Sequence, residues 1–172
     1  MDSERRKPEG MDQEFLEFLN RYQRVLRRVC RMYADSPEDR EDLFQETVYQ
    51  LWRSYPTFRG GSSRGTWVYQ VALNTAISAL RRKTKADKRV ALEADLMQVS
   101  SPDPGGSGAG RTDLLYRMIR RLNQVDRALV LLYLEDLSYK ELANILGLSE
   151  SNVGVKLNRI KAKLRSFAKE LE

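Results

Sequence analysis

Between Val99 and Asp113 the chain reads VSSPDPGGSGAGRTD, a run rich in Ser, Pro and Gly with almost nothing to bury. Such a segment joins packed units rather than filling one, so the 172 residues divide into a larger N-terminal unit and a smaller C-terminal one. On both sides apolar residues recur at helical spacing, and no strand alternation or internal repeat stands out. The expected fold class is therefore all-α, with two small helical domains, an N-terminal helical bundle and a C-terminal helix-turn-helix, on a flexible linker. The expected divisions are a tail over 1–10, a first unit over 11–98, the linker over 99–112 and a second unit over 113–172.

In the first unit, Phe15, Leu16, Phe18, Leu19, Tyr22, Val25, Leu26, Val29 and Tyr33 predict a helix from about Asp12 to Ala34. Ser36 as N-cap, Pro37 at the first helical position and acids in the first turn open a second helix running to about Tyr55. A Gly/Ser loop over Pro56 to Thr66 precedes a third helix from Trp67 through LRRKTK, and a weaker helical stretch over Ala86 to Met97 leads into the linker. The second unit reads as helices near Thr112 to Leu122 and from the Asn123 cap to Leu134. Ser138 and Glu141 then stand at capping-box spacing, Gly147 can close that helix in the left-handed conformation, and Ser149 caps the last one, which runs to about Leu171. Helix, short glycine turn and helix together have helix-turn-helix geometry.

On the last helix Val153, Leu157, Ile160 and Leu164 form the apolar stripe, while Ser151, Asn152, Val155, Asn158, Arg159 and Ala162 lie opposite. Amides suit adenine edges, arginine suits guanine or phosphate, and valine suits a thymine methyl; Lys156, Lys161, Lys163 and Arg165 flank that face and suit phosphates. The competing reading is a solvated amphipathic helix. Gly154 weakens the helix by roughly 1 kcal/mol relative to alanine with no local compensation in the sequence.

Two further stripes carry chemistry. On the third helix Val68, Val71, Ala72, Thr75 and Ala79 form the expected buried side, and Trp67, Gln70, Asn74, Ser78, Arg81 and Lys85 share a polar one. A tryptophan aligned with amides and cations suits a base-stacking platform, against the alternative of a tryptophan half-buried on its neighbour. On the second helix Leu43, Phe44, Thr47, Val48, Leu51 and Trp52 should face inward. Asp42, Gln45, Glu46, Tyr49 and Arg53 should face outward, as a protein-binding or merely solvated surface.

Composition narrows the chemistry. A formal charge of +6 favours polyanionic partners. With one cysteine, Cys30, and no histidine, an intrachain disulfide, a Cys/His zinc site and a His-dependent triad are excluded, and no P-loop motif appears; no cofactor, metal or catalytic residue is expected. No apolar run reaches the ~20 residues of a membrane span, and MDSERRKPEGMD lacks a signal-peptide core, so no membrane insertion and a cytoplasmic location are expected.

In order along the chain, EDLFQETVYQLW, FRGGSSRGTWVYQVALNTAISALRRK and DLSYKELANILGLSESNVGVKLNRIKAKL resemble the bacterial RNA polymerase sigma factors of the extracytoplasmic-function class, in the sigma-70 family. The resemblance covers nearly everything after Met11 and makes the units sigma region 2 and sigma region 4. It implies a factor that binds core RNA polymerase, directs it to specific promoters and promotes DNA opening. Asp42, Gln45, Glu46 and Tyr49 would bind the clamp helices of the largest polymerase subunit, and the flap region is a further expected contact. Arg59, Arg64, Trp67, Gln70, Asn74, Ser78, Arg81, Arg82 and Lys83 would bind the minus-ten element, with Asn74 at an extruded base and the Arg59 to Gly65 loop helping to form its pocket. Ser151, Asn152, Val155, Lys156, Asn158, Arg159 and Lys161 would bind the minus-thirty-five element. An anti-sigma protein is a further candidate partner. The sequence departs from the family pattern at Arg64 and Gly65, where an aromatic commonly precedes the Thr-Trp pair, and at Gly154 and Val155, where polar or basic residues are common. A stand-alone two-domain helix-turn-helix regulator is the alternative; it leaves the Trp67 stripe and the Asp42 to Glu46 face without a task.

Overall fold

The computed structural model describes the backbone of residues 11–93 and 111–170 and the side chains of 12–85 and 114–170. The expected tail over 1–10 and all but the last two residues of the expected linker lie outside the described residues. Seven α-helices follow one another, with no strand among the described residues. The N-terminal unit holds α1 (Met11–Tyr33), α2 (Pro37–Ser54) and α3 (Arg64–Glu93); the C-terminal unit holds α4 (Arg111–Arg120), α5 (Gln124–Tyr133), α6 (Tyr139–Leu146) and α7 (Glu150–Lys169).

Local chemistry fixes most boundaries. Ser36 Oγ accepts from the Asp39 N–H at 3.0 Å, and Pro37 opens α2 behind it. Asn123 and Ser149 cap α5 and α7 in the same way. Ser138 and Glu141 form the full capping box on α6, and Gly147 closes that helix at φ 66°. Two expectations about α3 are corrected. The helix starts at Arg64, three residues before Trp67, because Ser63 Oγ accepts from the Thr66 N–H at 3.1 Å and turns the loop into a first turn. It also runs without a break through Glu93, so residues 86–93 continue α3 instead of forming a separate helix, and 94–97 lie outside the described residues.

The N-terminal core is a three-helix packing in which Phe15, Phe18, Leu26 and Val29 of α1 meet Leu43, Thr47 and Leu51 of α2 and Val68, Ala72 and Ala76 of α3. Thr47 is buried without penalty because its hydroxyl donates to the Leu43 carbonyl at 2.7 Å. In the C-terminal unit α5 is the central helix, with Ala128, Leu129, Val130, Leu131 and Leu132 all buried, so that α4, α6 and α7 can pack around it. The buried side of α3 is also corrected. Tyr69, Leu73 and Ala76 join Val68 and Ala72 inside, while Val71, Thr75 and Ala79 are only half-buried. The buried arc turns toward Tyr69 because the C-terminal unit covers that side, where Tyr69 Oη donates to Glu135 at 3.2 Å.

Candidate nucleic-acid interface

The face of α7 opposite its core stripe is open. Val153, Leu157 and Ile160 are buried, whereas Ser151, Asn152, Val155, Asn158, Arg159 and Ala162 are exposed. Val155 is 49% exposed, so its methyls form an apolar contact point between two amides. The flanking cations divide. Lys161 is exposed, with its ammonium 4.8 Å from the Tyr133 ring centroid. Lys156 and Lys163 instead lie 3.6 and 3.4 Å from the carboxylate of Asp126, an acid buried in the first turn of α5 and further held by Asn123 Nδ2 at 2.8 Å. Lys156 therefore flanks the open face of α7 while pairing with a buried carboxylate, a pairing that spacing within α7 could not reveal.

The minus-ten candidates are brought together in part. A groove of about 620 Å³ between α2 and α3 is lined by Asn74, Ser78 and Arg82 together with Glu46, Gln50 and Arg53. Trp67 sits at the N-terminal end of α3 in an aromatic cluster, its ring centroid 4.9 Å from Phe58, 5.7 Å from Phe18 and 6.4 Å from Tyr55. It is half-buried, so only part of the ring is available for stacking. Gln70 is half-buried and its Nε2 donates to the Asn144 carbonyl of α6 at 3.4 Å. Arg59 and Arg81 are exposed. Arg64 lies instead beside Glu14, Glu17 and Arg21 of α1, in a separate cleft of about 240 Å³. Lys83 donates to Asp39 at 2.7 Å across to α2, and this bond is the main reason the Asp39 carboxyl is held below its ordinary range.

The four polymerase candidates split across two sides of α2. Gln45 and Tyr49 border an apolar groove of about 600 Å³ between α1 and α2, floored by Phe15, Leu19, Phe44 and Val48. Asp42 and Glu46 line the side toward α3. Trp52, expected to face inward, is 38% exposed, and Leu16 is 58% exposed at the same groove. Sequence reasoning missed both, since each falls on the apolar arc of its helix and only the gap between α1 and α2 leaves them uncovered. It also missed Gln50 and Thr57, which line the α2–α3 groove opposite α3 while their side chains donate locally, Gln50 Nε2 to Glu46 and Thr57 Oγ1 to the Ser54 carbonyl, both at 2.8 Å.

The chain thus pairs a groove lined by amides and cations on one unit with an open helix-turn-helix on the other. Sigma-70 region 2 matches residues 18–86 and Sigma-70, region 4 matches residues 112–164. The RNA polymerase sigma factor YlaC of Bacillus subtilis is 31% identical over 84% of this chain and 85% of its own. The ECF RNA polymerase sigma-E factor of Escherichia coli is 30% identical over 80% of this chain and 77% of its own. Among solved structures, the Bartonella quintana sigma factor RpoE, in complex with the anti-sigma factor NepR, superposes with a TM-score of 0.71 at 20% identity, covering 91% of this chain and 98% of that one. CnrH, in complex with the cytosolic domain of CnrY, gives 0.68 at 20% identity, covering 94% and 91%; these two likenesses establish the fold. The chain belongs to the extracytoplasmic-function class of the sigma-70 family of RNA polymerase sigma factors. It is a transcription initiation factor that binds core RNA polymerase and promoter DNA and directs the enzyme to promoters. No helix among the described residues is long and apolar enough to cross a membrane.

Proposed function

We propose that residues 11–98 engage polymerase and the minus-ten element, and that residues 113–172 read the minus-thirty-five element, with 99–112 as the connection. In this assignment the exposed Asp42, Gln45, Tyr49, Leu16 and Trp52 surface around α2, with Glu46 beside it, seats the clamp helices of the largest polymerase subunit. Asp12 and Glu41 at the apolar groove, with Asp42 on the adjoining side of α2, offer both steering and buried area to a basic amphipathic partner. The flap region is the partner of the C-terminal unit. The α2–α3 groove receives an unstacked base of the minus-ten strand, with Asn74 and Ser78 as hydrogen-bonding groups and Arg82 and Arg81 against phosphates. Trp67, Gln70, Arg59, Arg64 and Lys83 border the strand's path. On α7, Asn152, Asn158 and Arg159 meet base edges, Val155 a thymine methyl, and Ser151, Lys156 and Lys161 the backbone.

The observation that carries this reading is the α2–α3 groove, which gathers Asn74, Ser78 and Arg82 from one helix against Gln50 and Arg53 from another. Its volume lies in the range of small-ligand sites. Unstacking a base costs a few kcal/mol, which stacking and amide hydrogen bonds offset without covalent chemistry. The chain thus acts as a specificity subunit in the cytoplasm while the polymerase makes the RNA, and an anti-sigma protein is its natural antagonist. The region 2 match over 18–86 disfavours a stand-alone regulator, which has no use for that unit.

Reconstituted transcription with Asn74→Ala tests the assignment. Polymerase binding should be retained while formation of the open promoter complex falls about tenfold or more, the loss of one to two hydrogen bonds to a desolvated base. Equal loss of both activities removes Asn74 from the base-binding role.

A further inference from the structure

Asp126, the third residue of α5, is only 6% exposed and is the one buried carboxylate among the described residues. The dipole of α5 favours an acid in that first turn, but burying it also demands counter-charge. Two lysines of α7 supply it. Lys156 Nζ lies 3.6 Å from Oδ1 and Lys163 Nζ lies 3.4 Å from Oδ2, which also accepts from Asn123 Nδ2 at 2.8 Å. Both carboxylate oxygens are thus engaged, and little of either faces water.

The two lysines stand where DNA would otherwise use them. Asn152, Lys156, Arg159 and Lys163 follow one another at steps of four, three and four residues along α7, so they form a single ridge. Asn152 and Arg159 are exposed and meet base edges in the proposed assignment. Base edges met by that pair bring the flanking phosphates to the same ridge, where a lysine free of other partners would neutralise one of them. Each phosphate neutralised steepens the salt dependence by about 0.9 and adds affinity for any sequence alike. Asp126 opposes that gain, because drawing either ammonium toward DNA strips counter-charge from a buried carboxylate.

We propose that Asp126 is a positioning residue that sets the general DNA affinity of the C-terminal unit. It holds Lys156 and Lys163 toward α5, so that a phosphate contact by either is made at its expense. Element choice is left to Asn152, Val155, Asn158 and Arg159, whose side chains it does not touch. Non-specific duplex is in great excess over promoters, so a chain with low general affinity stays available to polymerase instead of being spread along the chromosome. The proposal deepens the assignment of α7 to the minus-thirty-five element and rests on it.

Binding of the full chain to random-sequence duplex DNA, and to a duplex the chain selects from a random library, is measured over a range of salt. Asp126→Asn keeps the shape of the side chain and an acceptor for Asn123. It should tighten binding to both duplexes about tenfold at ~0.1 M salt and steepen the salt slope by about 1 to 2, according to whether one or both lysines reach phosphate. Preference for the selected duplex should stay within about twofold of the parent's, because phosphate contacts act alike on every sequence. Lys163→Gln should then cost about threefold more affinity in the Asp126→Asn chain than in the parent. An unchanged slope, weaker binding, or an equal cost of Lys163→Gln in both backgrounds overturns the proposal. The parent background gives a second reading that needs no change at Asp126. There Lys161→Gln should flatten the slope by about 1 and Lys163→Gln by clearly less, and equal flattening overturns the proposal. If Arg159→Ala leaves the duplex selected from the library unchanged, base reading by α7 falls, while the response to Asp126→Asn still decides whether the carboxylate withholds the lysines.

Discussion

Gly154 is the fifth residue of α7, inside a helix where glycine is about 0.5 to 1 kcal/mol worse than alanine. The packing around it does not demand that cost. A Cβ built at 154 meets nothing closer than Cε2 of Tyr139, at 3.6 Å, an ordinary van der Waals contact with a ring that is itself 42% exposed and free to yield. Gly154→Ala should therefore stabilise the protein by about 0.5 to 1 kcal/mol. For a chain of this size that raises the melting temperature by about 1 to 4 °C. Thermal unfolding followed by circular dichroism reads the change, and a lowered melting temperature would refute the packing argument outright. The same variant then decides what the glycine is for. If affinity for a minus-thirty-five duplex falls about tenfold while the fold is stabilised, the missing methyl is used by the DNA backbone. If affinity is unchanged, the glycine has no part in recognition.

Leu132, fully buried at the centre of the C-terminal unit, should cost about 3 kcal/mol when cut to alanine, lowering the melting temperature by about 6 to 12 °C; a loss under 1 kcal/mol would mean that α5 is not the central helix. The Ser138 side chain and then its backbone N–H hold the Glu141 carboxyl below its ordinary range. A carboxylate whose folded pKa is depressed stabilises the fold above its unfolded value of about 4.3 and loses that contribution as pH falls through the folded value. Glu141→Gln should thus be less stable than the parent at pH 7, and the gap should close in acid; a gap independent of pH would show that the capping box is not ionic.

What could be read from the sequence follows the range of the interactions. Ser36, Asn123, Ser138 and Ser149 each cap a helix through a bond to a residue three positions away, so four helix starts are legible from short stretches. The open face of α7 is legible for the same reason, because its exposed residues are the complement of one local apolar stripe. Errors came where a distant partner decided the outcome. Tyr69 belongs to the interior only because Glu135 and the second unit close over it, and Trp52 is exposed only because α1 diverges from α2 beside Leu16. Lys156 carries the same lesson at the site itself. By spacing it is a phosphate-binding flank, yet its ammonium is 3.6 Å from buried Asp126, so moving it to DNA would leave that carboxylate to Lys163 and Asn123 alone. Its contribution to DNA affinity is therefore the phosphate contact less what the core carboxylate loses. Lys161, whose neighbour is a neutral ring, has no such debit and should dominate the salt dependence of this face.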